Sequence, residues 1–190
     1  MSPIQPIDEL EKWWESDPDP RKYENDPADI KRRNILMSLI PEKEYERVLD
    51  IGCGNGFITL ELPGKSVLGI DISENAIKHA KRRAVNQKRI KFKRASLFDI
   101  PFFEKQETYD LIVITGVLYP QYIGESKLLV YSIIDDILRP GGFLLCCHIA
   151  EWYSLKFPFY LVKNEFYPYK EYTHIYELYM KIQPSGGDYR

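Results

Sequence analysis

Short apolar runs alternate with longer amphipathic stretches through the middle of the chain. Arg47–Ile51 reads as a buried strand, broken at once by Gly52, Gly54 and Gly56, and a helical stretch is expected from there to about Leu62. Ser66–Ile70 is a second apolar run, and Ser73 just beyond it can cap a helix reaching about Asn86. Ile90–Ala95 and Leu111–Thr115 read as a third and a fourth strand, and Lys127–Leu138 as a helix stopped by Pro140-Gly141-Gly142. Phe143–His148 is the fifth strand. Strands alternating with helices of this length predict βαβ units, right-handed crossovers and a parallel sheet.

Both ends depart from that rhythm. The first 41 residues carry 6 of the 13 prolines, which forbids a long helix there. Two short helices are expected instead, Ile7–Glu15 and Ala28–Leu39. The second places Ile35, Leu36, Leu39 and Ile40 at helical spacing and ends at Pro41. After Ala150 two strands are expected, roughly Phe159–Lys163 and Thr173–Gln183. The span Trp152–Tyr179 holds 11 of the 26 aromatic residues, Tyr153 among them. Tyr172, Tyr176 and Tyr179 cannot all face one side of a strand, so some are expected to be exposed or to meet a partner. The organisation expected is a helical lid over residues 1–41 and an α/β domain over 42–190, with aromatic-rich strands from about 151.

Composition narrows the function classes. With 190 residues, 44% hydrophobic, the chain suits one domain with a buried core. Its 26 Lys+Arg against 28 Asp+Glu leave a net charge of −2, which argues against a protein whose main work is neutralising a nucleic-acid backbone. Nine basic residues crowd the span Lys78–Arg94, where a solvated helix face and its flank are the expected use rather than RNA binding. Cys53, Cys146 and Cys147 make neither a disulfide framework nor a zinc spacing, so no metal is expected. The first residues lack the basic and apolar regions of a signal peptide, and no apolar run is long enough to span a bilayer. A soluble, cytoplasmic protein without a membrane partner is expected.

The most informative stretch is Val48-Leu49-Asp50-Ile51-Gly52-Cys53-Gly54-Asn55-Gly56. Glycines at a strand-to-helix turn let the chain bend sharply and admit a ligand close to the backbone. Asp71 ends the next strand, where a carboxylate can accept hydrogen bonds from both hydroxyls of a ribose. The dinucleotide fingerprint would place glycine at Phe57, and the phosphate loop would require a Gly-Lys-Ser/Thr that is absent. Asp50 would repel a pyrophosphate. A cationic ligand with an amino group fits better, and S-adenosylmethionine carries an ammonium and a sulfonium.

The run Val48–Gly56 resembles motif I of the class I S-adenosylmethionine-dependent methyltransferases. Gly69-Ile70-Asp71-Ile72-Ser73 is similar to their second motif, Tyr109-Asp110-Leu111-Ile112-Val113 to the start of their fourth strand, and Leu138-Arg139-Pro140-Gly141-Gly142 to the turn before their fifth. The resemblance covers roughly Glu46–His148. It implies a Rossmann-like, doubly wound α/β fold: a mostly parallel seven-stranded sheet with an antiparallel C-terminal strand. It also implies S-adenosyl-L-methionine as cofactor, held by Asp50, Gly52, Cys53, Gly54, Phe57, Asp71, Ile72, Ser96, Leu97 and Thr115. The family often has an acid after the third strand, where this chain has Ser96, with Asp99 as a substitute. After the fourth strand the commoner acid is replaced by Gly116, which opens room for an acceptor. Upstream, Asp17-Pro18-Asp19-Pro20 with Tyr23 and Lys31-Arg32-Arg33 resembles the nodulation-type N-methyltransferases, which act on an oligosaccharide amine, although Arg21 stands where they usually have Trp. That match implies a lid over the cofactor, with Lys31 or Arg32 reaching the methionine carboxylate; solvent-facing charges are the plain alternative.

Ligands of open α/β sheets bind outside the carboxyl ends of the strands. That rule nominates His148 as a catalytic base and places Tyr119 and Tyr122 beside the acceptor; the alternative for His148 is a loop histidine satisfied by backbone. His79 is expected to be exposed and His174 structural, while Glu151 either orients His148 or lies on the surface. The tail rings suit stacking on a sugar or planar acceptor, or a homodimer interface, with packing on the sheet edge the simplest use. The expected activity is methyl transfer to N or O of a small-molecule or saccharide acceptor. The alternatives are a tRNA or protein methyltransferase and a non-catalytic cofactor-binding subunit.

Overall fold

The computed structural model describes residues 6–15, 17–20, 22–106, 108–152 and 156–182. Seven strands form one sheet: β1 (Arg47–Ile51), β2 (Ser66–Asp71), β3 (Ile90–Arg94), β4 (Tyr109–Thr115), β5 (Leu138–Ile149), β6 (Tyr160–Tyr169) and β7 (Tyr172–Met180). Their order is β3-β2-β1-β4-β5-β7-β6. The first five run parallel, and β7 lies antiparallel between β5 and β6. This is the doubly wound, mostly parallel arrangement with a reversed C-terminal strand.

Both faces of the central strands are covered, so those strands are near-continuous apolar runs rather than alternating ones. One face carries α2 (Pro27–Leu39) and α3 (Glu74–Arg83), burying Leu36, Leu39, Ile77 and Ala80 against Val48, Val67, Leu111 and Val113. The other carries α4 (Lys127–Ile137), which buries Val130, Ile133, Ile134 and Ile137 against Leu49, Ile112, Ile114 and Leu144. Covering both faces also settles the tail tyrosines. Tyr176 and Tyr179 are both buried, one in each layer, and Tyr172 is half-buried, where some of the three were expected to be exposed or to meet a partner.

Three expected boundaries move, each for a local reason. No α-helix runs from Gly56 to Leu62; the segment closes in a single 3-10 turn, Thr59–Glu61. Pro63 disfavours helical backbone at Leu62, and the Thr59 hydroxyl is drawn to Asp50 Oδ2 at 2.6 Å. β5 starts at Leu138 and carries Pro140-Gly141-Gly142 within it: Tyr109 pairs with Leu138 and Leu111 with Phe143, so the residues between loop out. β6 extends to Tyr169, well past Lys163: Glu165, Tyr167 and Tyr169 are half-buried while Phe166 and Pro168 are exposed, so this edge strand shows no apolar-in, polar-out alternation. Gln183, the expected end of the last strand, lies outside the described residues.

The N-terminal helices are tied to the domain. α1 (Ile7–Glu15) lies against α3: Glu11 accepts from the Glu74 and Asn75 amides at 2.6 and 3.1 Å and from the Ser73 hydroxyl at 3.2 Å. A carboxylate from another helix thus completes the cap that Ser73 begins at the α3 N-terminus, where the helix dipole favours negative charge. Although partial burial opposes it, those amides hold the Glu11 carboxyl below its usual range. His79, expected to be exposed, is half-buried, with Nε2 3.0 Å from the Trp14 carbonyl. Asp26 caps α2 by accepting from Ala28 N, with Pro27 in its first turn. Glu11→Ala is expected to cost about 1 kcal/mol. It should speed amide exchange in α1 while β1–β5 stay protected, as hydrogen-exchange mass spectrometry can check.

Candidate active site

A cavity of about 400 Å³ opens at the carboxyl ends of the parallel strands. Its floor is the glycine turn. Gly52 has φ +79° and Gly54 φ +52°, left-handed backbone that favours glycine. A Cβ on Gly52 would sit 2.2 Å from a Val117 methyl and 3.0 Å from the Thr115 carbonyl, which fixes the approach of the turn to the end of β4.

The amides of this turn are nearly all occupied from within. Gly52 and Cys53 N–H donate to the Ile70 carbonyl, Gly56 N–H to the Cys53 carbonyl, and Phe57 N–H to Asn55 Oδ1. Gly54 N–H donates to Asp71 Oδ2 at 2.9 Å, and Ser73 N–H donates to the other oxygen, Oδ1, at 2.9 Å. A turn whose amides are already engaged offers little to a phosphate. What it does offer is negative. Asp50 is fully buried; Oδ2 accepts from Thr59 while Oδ1 has no hydrogen-bond partner among the described residues. Burial pushes its carboxyl up to about 7, with Thr59 opposing and the charge of Asp71 adding to the rise. Asp71 is likewise raised by burial against its two amide donors. An orphaned carboxylate oxygen beside a glycine turn fits a ligand that brings a cation or an N–H group.

The walls come from both ends of the chain. α1 contributes Leu10, Trp13 and Trp14, and α2 contributes Asp29 and Arg32. Arg32 Nε donates to Asp29 Oδ1 at 3.0 Å, and Asp29 Oδ2 accepts from the Tyr169 hydroxyl at 2.8 Å. Burial opposes the Arg32 charge, but Cys147, Tyr23 and Asp29 around it raise its pKa further. Its guanidinium also lies 5.4 Å from the Tyr23 ring centre, and Tyr23 stacks on Phe57. Across the cavity Tyr119, Trp152 and Tyr172 meet edge to face, with centroids 5.4 and 5.1 Å apart. His174 stands below them, its Nδ1 3.6 Å from Cys147 Sγ and its ring 4.7 Å from Tyr169. Gly116 leaves open space: a Cβ there would meet nothing within 4 Å.

Asp50, Gly52, Cys53, Gly54, Phe57, Asp71, Ile72, Leu97, Thr115, Arg32 and Tyr119 all line this one cavity. Ser96, Asp99 and His148 do not. Ser96 caps the 3-10 turn Leu97–Phe102 in a reciprocal box with Asp99, so both side chains are committed to the backbone. His148 sits between Cys147 and Ile149, which do face the cavity, and strand alternation turns it to the opposite face. There it is 2% exposed, with Nε2 3.7 Å from Glu177 Oε2. Burial, helped by Lys156 and His174, holds it near 4. Glu151 does not orient it; both its oxygens accept from the Thr173 amide. Tyr119 accepts from Ile149 N–H at 3.0 Å, and burial pushes its phenol up to about 12. Trp13, Trp14, Asp29 and His174 belong to the cavity although the sequence did not single them out for it, and Tyr169 is there as one of the tail rings. The i,i+3 spacing of Asp29 and Arg32 is the signal that could have found one of them.

With the geometry in place, comparison with known proteins assigns the family. A family model described as a methyltransferase domain matches residues 42–180. The chain belongs to that family. This methyltransferase domain has the class I, Rossmann-like fold and is similar to the N-methyltransferase NodS of Bradyrhizobium japonicum WM9 crystallised with S-adenosyl-L-homocysteine. That match has a TM-score of 0.77 at 21% identity, over 93% of this chain and 98% of the other. It is also similar to phosphoethanolamine N-methyltransferase 1 of Haemonchus contortus: TM-score 0.62, 18% identity, over 74% of this chain and 32% of that one. Among curated relatives, demethylmenaquinone methyltransferase of Staphylococcus carnosus (strain TM300) is 26% identical over 124 residues, 63% of this chain and 49% of the relative. The methyltransferase domain thus spans about half the length of the curated relatives it matches. Among its described residues no helix is long and apolar enough to cross a membrane.

The orphaned carboxylate makes a measurable claim. A folded-state pKa of about 7, against an ordinary 3.8, means that Asp50 stabilises the fold below about pH 4 and loses that contribution as pH rises toward 7. Asp50→Asn is therefore expected to melt above the wild type at pH 8 and level with it at pH 4. Thermal unfolding without ligand checks this; a gap independent of pH would contradict it.

Proposed function

We propose that this chain binds S-adenosylmethionine across the glycine turn and transfers its methyl group to the nitrogen of a small-molecule or saccharide amine. The observation that carries the reading is the cavity floor: occupied amides, an orphaned Asp50 oxygen, and Asp71 ordered at the end of β2. When bound, S-adenosylmethionine supplies a methyl group on a positively charged sulfur. In this reading Asp71 accepts from the ribose hydroxyls and Asp50 receives the ammonium. Ile72 and Leu97 flank the adenine, and Arg32 faces the carboxylate. Trp13 and Trp14 close the cavity from α1 and exclude water, which favours a reaction that disperses charge.

Nitrogen is favoured over oxygen by what the acceptor side lacks. A hydroxyl acceptor needs a general base whose pKa lies near the working pH. His174 is held near 4 by burial and by Arg32, so it takes up a proton weakly, and Tyr119 keeps its proton to about 12. A neutral amine attacks without a base, and positioning then supplies much of the rate. The electron-rich faces of the Tyr119, Trp152 and Tyr172 rings, with Glu171 at the same rim, suit the cationic product. An RNA substrate is less favoured. Arg83, Arg89 and Arg94 from the basic span donate to the carbonyls of Asn55, Leu62 and Ile72, so part of that charge is structural.

Radiolabelled S-adenosylmethionine offered with primary amines and their matched alcohols tests the acceptor, and label is expected in the amines alone. Label in the alcohols would overturn the choice of nitrogen. Tight cofactor binding with no transfer to any panel member would favour the non-catalytic subunit. Asp71→Asn is expected to weaken cofactor binding about 10- to 100-fold, as for a lost hydrogen bond to a charged group. Calorimetry reads that loss. His148→Gln should leave cofactor affinity within about twofold, because its side chain lies on the face of β5 turned away from the cavity, beside Glu177.

A further inference from the structure

The two edges of the sheet are chemically different. β3 exposes Lys91, Lys93 and Arg94, a like-charged edge that repels a second copy of itself. β6, at the other end, exposes apolar and mixed-charge residues: Phe166 is 62% exposed, Tyr160 57%, Val162 44% and Leu161 40%. Its inner side pairs only with β7.

We propose that β6 is a self-pairing edge, where two copies of this chain join antiparallel about a two-fold axis at Asn164 to form one continuous sheet. A two-fold axis normal to the sheet keeps each face continuous, so residues opposite one another must share a face and the sum of their numbers must be even. Centred on Lys163, the pairing sets Lys against Lys; centred on Glu165, it sets Glu against Glu. Centred on Asn164, it sets Lys163 opposite Glu165 of the second copy, twice. Opposite charges directly across an antiparallel pair stabilise it and like charges destabilise it. Within one chain these two groups already lie 2.6 Å apart, so both are oriented on the same face. The same register brings Phe166 opposite Val162 of the second copy and covers its exposed ring. The bulge between Leu161 and Lys163 and the proline at Pro168 bound the regular stretch, which limits slippage to other registers. The proposal does not depend on which acceptor the cavity takes.

Sedimentation velocity on the full chain should show a dimer that dissociates on dilution. Lys163→Glu and Glu165→Lys are each expected to weaken it about tenfold, and the double exchange to restore it. Lys163 is exposed and Glu165 half-exposed, and neither packs in the core, so far-UV circular dichroism should be unchanged. Asn164→Cys gives the register test: two residues on the axis face each other within disulfide reach, and the native cysteines are all buried. Mild oxidation should cross-link that variant and leave Lys163→Cys and Glu165→Cys uncoupled. A wild type that stays monomeric at every concentration, a double exchange that fails to restore the dimer, or equal cross-linking at the three positions would each overturn the proposal.

Discussion

Asp71 joins two backbones that would otherwise be independent. One oxygen orders the glycine turn through Gly54, and the other orders the start of α3 through Ser73. With the Ile70 carbonyl taking the amides of Gly52 and Cys53, the end of β2 holds the end of β1 in a single conformation. Two buried carboxylates then stand side by side, and only one of them has its charge compensated by amides. The cavity therefore has a built-in demand for positive charge, set before any acceptor residue is considered. That demand separates this turn from the phosphate-binding turns it superficially matches, in which free amides dominate.

The rest of the site is assembled from the two ends of the chain, far apart in sequence. Asp29 and Arg32 on α2 meet Tyr169 on β6, and the Tyr176 hydroxyl donates to the Arg32 carbonyl. α1 is fastened by Glu11 to the helix that follows Asp71. What the sequence suggests as a lid divides in two: α2 is buried against the sheet through Leu36 and Leu39, and α1 lines the cavity through Leu10, Trp13 and Trp14.

The central strands and the cofactor side were legible because each rests on local chemistry: apolar runs, glycines, and an acid at a strand end. Ser96 and Asp99 were misplaced because a reciprocal cap turns both inward to the backbone, which spacing does not reveal. His148 was misplaced by one residue of strand alternation. Cys147, its neighbour, faces the cavity instead, and the direction of β5 is fixed by pairing with β7, some thirty residues further on. His174 and Tyr169 were legible only as rings. Their position depends on a hairpin whose outer strand has no hydrophobic period to read.

The reversal of β7 has a consequence for how such a domain diversifies. The strands that carry the cofactor motifs pair only with one another and with β5, whereas the hairpin β6–β7 reaches the cavity through its tip, Tyr169–Tyr172. Changes in length or composition at that tip leave the floor untouched. The rim of the cavity can thus vary without disturbing its floor, because the two reside on chain segments that share a cavity but no strand.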